Sequence, residues 1–264
     1  MSYPGSSSTT DDLGGVIYPI LLYKLLPQVG FEWSTRIIGF LALGTCAISL
    51  AVLRVRIKSP KRRLLFDPKA FLEPPFFFFT FSLFFGLMGL YIPSFYIQSF
   101  AVEKGIITGE LSAYILPILN AGGVFGRVIP NFFADRTGPL NMLTPFLAFA
   151  GLMALVWIAV VNVGGLIVMA LLYGFSSGAI LSLPPIGVVS LSPNLAVIGT
   201  RMGTTSSIAS LGLLVGTPVS GAILGTARNY VGLQVFAGIL LLVGAICSGV
   251  SRGLKVGPGI MVKA

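Results

Sequence analysis

Repeated apolar runs constrain this chain more than any other feature. Eight runs are present, at residues 13–26, 35–53, 76–100, 113–133, 140–161, 166–191, 202–224 and 231–250. A helix needs about 20 apolar residues to cross a bilayer, and all runs but the first are of that order. Short alternating strands of the barrel type are not found, so the spanning elements should be helices. The sequence therefore predicts an all-α membrane protein with about eight transmembrane helices.

The balance of charged and apolar residues agrees with this prediction. Only 9% of the 264 residues are charged and 55% are hydrophobic, whereas soluble domains carry about 25% charged residues. The net charge of +9 does not indicate nucleic-acid binding, because seven of the 17 basic residues lie between Arg54 and Lys69, directly after an apolar run. That clustering is typical of a cytoplasmic loop beside a membrane helix, and such a loop can also contact anionic lipid headgroups.

The residues that most enzymes use are scarce. The chain has no histidine, and its two cysteines, Cys46 and Cys247, both lie in apolar runs. This removes the commonest general base and metal ligand, and it disfavours a disulfide framework. A glycine-rich phosphate loop ending in Lys-Ser or Lys-Thr is also missing. We therefore expect no enzymatic activity, no metal site and no cofactor.

Charge and proline placement suggest the domain organisation. Residues 1–12 read as a disordered polar tail, 54–75 as a basic, proline-containing linker, and 252–264 as a second tail. The linker separates apolar runs at 13–53 from six runs at 76–251. With the linker in the cytoplasm, twelve basic residues fall inside, Arg201 among them at a helix end, and four outside. Both termini should then be cytoplasmic, in a multi-pass protein of the plasma or vacuolar membrane.

Several short motifs resemble one known family. The segment Ala134-Asp135-Arg136-Thr137-Gly138 resembles the Ala-Asp-Arg-x-Gly loop of the major facilitator superfamily. Further likeness, to the monocarboxylate-porter branch and its fungal members, lies in Gly14 to Pro19, Gly89 to Pro93, Leu116 to Gly122, Gly126-Arg127, Pro139 to Met142, Tyr173 to Phe175, Leu183 to Pro185 and Gly199 to Gly203.

The resemblance implies a fold and a function. Members have twelve helices in two bundles of six, so this chain looks like helices five to twelve, an incomplete N-terminal half followed by a complete six-helix half. The short first run is then the remaining part of a longer helix, although a complete short helix with a snorkelling Lys24 is the alternative. The implied function is secondary transport of small organic anions by alternating access, with a coupled proton as a possible partner. The alternatives are a riboflavin-type carrier and a half-carrier that does not transport, either an incomplete gene model or a regulatory partner.

Arg127 is the leading candidate for a substrate contact. A charge inside an apolar helix is costly and often functional, and helical spacing places Asn120, Arg127 and Asn131 on one face with Gly123 between them. The alternative is that Arg127 snorkels to the membrane surface. Animal monocarboxylate porters hold the substrate carboxylate with the arginine that Arg127 matches. Their proton-coupling aspartate falls at Gly123, which puts that coupling scheme in doubt here.

Two further groups complete the predicted site. Tyr91 and Gln98 lie on one side of their helix, beside Pro93, which we expect to break it; broken helices often flank transport sites. Asp135 and Arg136 resemble a gating latch in the superfamily loop. The alternative for that pair is a solvated turn, because exposed ion pairs contribute only about 0–1 kcal/mol.

Overall fold

The structure, a computed structural model, describes residues 5–52, 68–107, 111–194, 197–225 and 229–257. Its helices are α1 (Gly5–Val52), α2 (Pro74–Glu103), α3 (Leu111–Thr137), α4 (Pro139–Val156), α5 (Val163–Ser182), α6 (Pro184–Ser190), α7 (Ile198–Leu224) and α8 (Tyr230–Val256), with 3-10 turns at Pro68–Leu72 and Trp157–Ala159. The described ranges contain no strand. The predicted all-α membrane fold is confirmed.

The number of spans differs from the prediction. Among the described residues, seven helical segments are long and apolar enough to cross a membrane, and Ile20–Val52 counts as one of them. The sequence predicts two spans here, joined near Gly30. In the structure the connection is a kink inside α1, because Gly30 adopts a φ of 74° that favours glycine.

The predicted domain boundaries stay a prediction, because much of the linker and of the C-terminal tail lies outside the described residues. Helix α1 begins at Gly5, so it runs through most of the predicted tail 1–12; extending a helix costs less than starting one. The basic part of the linker, residues 53–67, lies outside the described residues, as does the C-terminal segment 258–264.

Glycines set the packing between helices. Gly126 of α3 meets the backbone of Phe175 in α5, and Gly174 of α5 meets the backbone of Leu119 in α3. Gly122 likewise meets the backbone of Leu171, so the contacts at Gly122 and Gly126 advance by four residues along both helices, which shows that α3 and α5 run parallel. Small residues allow membrane helices to approach this closely. The α3–α5 contact is thus made by backbone against backbone.

Helices α2 and α7 form a second parallel pair in which glycines pack against backbone. Gly212 and Gly216 of α7 meet the backbone of Phe84 and Met88 in α2. Helix α8 runs antiparallel to α2, because the Ser82 hydroxyl donates to Gly244 O at 2.7 Å and, nearer the start of α2, Pro75 O accepts from the Ser251 hydroxyl at 2.6 Å. Helices α2, α5, α6 and α7 line the cavity described below.

Prolines act differently in two helices. Pro184 and Pro185 begin α6 directly after α5 ends, so the chain is interrupted there. Pro93, in contrast, lies inside the continuous helix α2, and the expected break there is wrong. A proline leaves its helix one hydrogen bond short. In the same turn, the Tyr173 hydroxyl donates to Leu90 O at 2.7 Å, which binds a carbonyl of the weakened turn from outside the helix.

Candidate functional site

Two of the predicted substrate-binding residues lie at the same depth in the bundle. Tyr91 follows Leu90, whose carbonyl accepts the Tyr173 hydroxyl hydrogen bond. Asn120 follows Leu119, whose backbone meets Gly174, the next residue after Tyr173. Helix α5 therefore brings Tyr91 of α2 and Asn120 of α3 to one level. Both side chains are partly buried.

The other two predicted residues lie far apart. Gln98 is seven residues beyond Tyr91 towards the end of α2, and it is exposed. Arg127 is seven residues beyond Asn120 in α3, which runs in the opposite direction. At 1.5 Å per residue, each lies about 10 Å from the common level, so they are separated by about 20 Å along the bundle. The four predicted residues therefore do not form one compact site.

Arg127 is buried inside α3 close to α5. The residue is 7% exposed. One turn later, the Asn131 amide donates to Arg127 O at 2.7 Å, and its Oδ1 accepts from the Ser182 hydroxyl at 3.4 Å. The burial argues against a guanidinium extended into water. The chain keeps a buried cationic side chain within an apolar helix, which is the environment expected of a functional charge in a membrane.

Gly123, which helical spacing places on the face of Asn120 and Arg127, is a packing position in the structure. Gly123 is buried, and its backbone meets Gly178 of α5. In this chain the residue serves the close α3–α5 approach, and it provides no titratable group.

The predicted gating pair lies at the end of α3. Asp135 and Arg136 are both exposed, and the Arg136 guanidinium carbon lies 5.0 Å from the centre of the Phe132 ring. A cation over an aromatic face is weakly attractive at exposed sites. The gating role itself stays a prediction.

A cavity that the sequence does not reveal lies between α2, α5, α6 and α7. It holds about 190 Å³, and the described residues that line it carry no charge: Leu83, Leu87, Ile180, Leu181, Pro184, Pro185, Val188, Met202, Thr205, Ser206, Ala209 and Ser210. Three hydroxyl groups are therefore set among apolar side chains. Leu181 is adjacent to Ser182, so the cavity lies close to the Arg127–Asn131 region.

Thr205 is the most informative residue of this cavity. It is 2% exposed, and its hydroxyl oxygen has no hydrogen-bond partner among the described residues. Buried hydroxyl groups are normally hydrogen-bonded. A mainly apolar pocket with a few polar groups is the usual form of a site for an organic molecule.

The sequence also does not reveal an ion pair at one end of the bundle. Arg201, which is 2% exposed, donates to both carboxylate oxygens of Glu73, at 2.5 Å and 2.9 Å. It also donates to Leu191 O at 2.8 Å. The expected location near a helix end is correct, since α7 begins at Ile198. The bidentate contact in addition joins the starts of α2 and α7 to the end of α6.

Comparison with known proteins agrees with this fold. The sequence pattern of the Major Facilitator Superfamily matches residues 5–197. The MFS-type transporter dbaD of Emericella nidulans is 43% identical over 241 residues, which are 90% of this chain and 54% of that protein. The Agnestins efflux protein AgnL12 of Paecilomyces divaricatus is 35% identical, over 96% of this chain and 58% of the relative. The Aspyridones efflux protein apdF of Emericella nidulans is 32% identical, over 92% and 50%.

The chain spans about half the length of the curated relatives it matches. The family match covers most of this chain, and it agrees with the helical bundle and the seven membrane-length segments. The chain belongs to the Major Facilitator Superfamily.

Proposed function

We propose that this chain is part of a secondary carrier that exports an organic metabolite by alternating access. The uncharged cavity between α2, α5, α6 and α7 carries this proposal, because its apolar wall and hydroxyl groups suit an organic molecule with few charges. Relatives named as efflux proteins for agnestins and aspyridones support the direction of transport. Thr205 and Ser206 would contact polar groups of the substrate.

A carrier of small organic anions, the monocarboxylate-like alternative, is favoured by a different observation. Arg127 is 7% exposed and lies inside a membrane helix. A guanidinium there can bind a carboxylate through two hydrogen bonds. The two proposals agree on the carrier mechanism and differ in which residue the substrate requires.

Metabolite distribution separates the two proposals. Cells lacking the gene would be complemented with the wild type, Arg127→Gln or Thr205→Val, and metabolites in cells and medium would be compared by mass spectrometry. Uptake of labelled pyruvate and riboflavin would be measured in the same strains. For a metabolite exporter, deletion retains an organic metabolite in the cells and Thr205→Val reduces its export. For an anion carrier, pyruvate transport is lost in Arg127→Gln.

The matched control is Arg36→Gln, which removes the same charge from an exposed position of α1. Equal losses in Arg36→Gln and Arg127→Gln would contradict a specific role for Arg127. Unchanged metabolite, pyruvate and riboflavin distributions after deletion would refute the carrier proposals.

The share of its relatives that the chain covers calls for a separate test. A carrier site usually forms between the two repeats, and this chain covers 54% of its relative dbaD. We would compare the 264-residue chain with a version extended by any upstream coding sequence for apolar helices. If the extended protein transports and the shorter chain does not, the half-carrier alternative is supported for the shorter chain.

A further inference from the structure

A second cavity lies at the opposite end of the bundle from Glu73, where α2 ends and α8 begins. It holds about 240 Å³. The residues that line it are Phe100, Lys104, Ile106, Ile158, Val160, Val161, Tyr230, Val231 and Gln234. We call it the Lys104 cavity. It shares no lining residue with the cavity that contains Thr205.

Gln234 gives this cavity an unusual polar group. The residue is 1% exposed, and its Nε2 has no hydrogen-bond partner among the described residues. An amide nitrogen carries two N–H donors and accepts nothing. Since buried donors are nearly always paired, the cavity wall offers a donor that a ligand can satisfy.

Among the described residues that line the cavity, the charged one is Lys104. Lys104 lies at the rim and is exposed, and its ammonium group also only donates. Glu103 precedes it in the chain but does not line the cavity. The charged group and the buried amide nitrogen therefore favour the same kind of ligand, an oxygen acceptor with negative charge.

Aromatic packing fixes the wall behind these donors. The Phe100 ring meets Trp157 at 5.2 Å and Tyr230 at 5.3 Å between centroids, both edge to face. The Trp157 side chain is fully buried and thus reports on changes in this wall. Part of the rim is apolar and exposed, at Val161 and Val231, so a chain attached to the anionic group has a surface to lie against.

We propose that the Lys104 cavity binds a single anionic oxygen group, a carboxylate or a phosphate. Its volume of about 240 Å³ has room for a headgroup or a small anion. The source is either a membrane lipid or a soluble organic acid or phosphate. The site is separate from the carrier cavity and does not depend on the proposed transport function.

Fluorescence of Trp157 provides a local test. In the purified 264-residue chain, Trp33→Phe leaves Trp157 as its single tryptophan. This protein would be titrated with inorganic phosphate and with acetate, and separately with phosphatidylcholine vesicles with and without phosphatidylglycerol. We expect a saturable change in Trp157 emission in at least one anionic arm. A response to phosphatidylglycerol alone identifies a lipid, and a response to phosphate or acetate identifies a soluble anion.

Substitutions locate the response. Lys104→Gln and Gln234→Leu should each raise the ligand concentration at half-saturation about tenfold, which corresponds to about 1.4 kcal/mol of binding free energy. Lys255→Gln removes one charge from the other end of α8 and should leave the titration unchanged. Lys104 is exposed, so its variant keeps the test valid even where Gln234→Leu fails to fold. A flat titration in every arm, or identical titrations in all variants, would overturn the proposal.

Discussion

Replacing Gly174 with alanine tests whether α3 and α5 approach as closely as the structure shows. A Cβ built on Gly174 overlaps the Leu119 carbonyl oxygen, lies 2.8 Å from its carbonyl carbon and 3.3 Å from Gly123 N. Carbon atoms in contact are normally about 3.5–4.0 Å apart, so the helices must separate by about 1 Å. The obstacle is backbone, which cannot rotate away as a side chain can.

The expected cost follows from this separation. Overpacking of a well-packed contact costs about 1–3 kcal/mol. Alanine recovers about 0.5–1 kcal/mol through its better helix propensity. Membrane helices associate largely through such close packing, so the loss is not offset by burial elsewhere. We therefore expect Gly174→Ala to lower the free energy of unfolding by about 1–2 kcal/mol.

Unfolding in mixed detergent micelles, titrated with sodium dodecyl sulfate, measures this change. The matched control is Gly203→Ala in α7, where a Cβ meets nothing within 4 Å. That variant should be more stable than the wild type by about 0.5–1 kcal/mol. If Gly174→Ala and Gly203→Ala shift the unfolding free energy equally, the α3–α5 backbone contact is not as close as described.

Three further substitutions have defined expectations. Glu73→Gln removes the carboxylate that accepts two hydrogen bonds from Arg201. Because the Glu73 side chain is 46% exposed, the free energy of unfolding should fall by about 1–2 kcal/mol rather than by the ~3–5 kcal/mol of a fully buried pair. An unchanged melting temperature would contradict this expectation. Tyr173→Phe deletes the hydrogen bond to Leu90 O and should cost about 0.5–1.5 kcal/mol in the same unfolding titration; no loss would mean that this bond does not support the Pro93 turn. Thr205→Val removes a hydroxyl without a described partner, so stability should stay equal or rise by up to about 1 kcal/mol, and a clear loss of stability would reveal a structural role.

Local sequence patterns were sufficient for part of the fold. The apolar runs near residues 76–100 and 231–250 correspond to α2 and α8, because a span in lipid must satisfy its backbone hydrogen bonds internally. Glycines four residues apart, such as Gly122 and Gly126, are typical of close helix contacts, although their spacing does not identify the partner helix. The expected break at Pro93 was wrong, because a proline in a membrane helix removes one backbone hydrogen bond without ending the helix.

The candidate site depended far more on tertiary structure. Helical spacing correctly placed Arg127 within an apolar helix, but it said nothing of the roughly 20 Å between Arg127 and Gln98 along the bundle. Nor did it reveal the Glu73–Arg201 pair, whose members are 128 residues apart.

The sequence alone thus determined that this is a helical membrane protein of a recognisable family, because hydrophobicity, helix period and short motifs are local properties. Tertiary structure decided which helices face each other, where the cavities lie and which buried donors they expose. These depend on contacts between residues distant in the chain, such as Gly174 with Leu119. Apolar periodicity gives the face of a helix, whereas the partner of that face is set by the shape of both surfaces together.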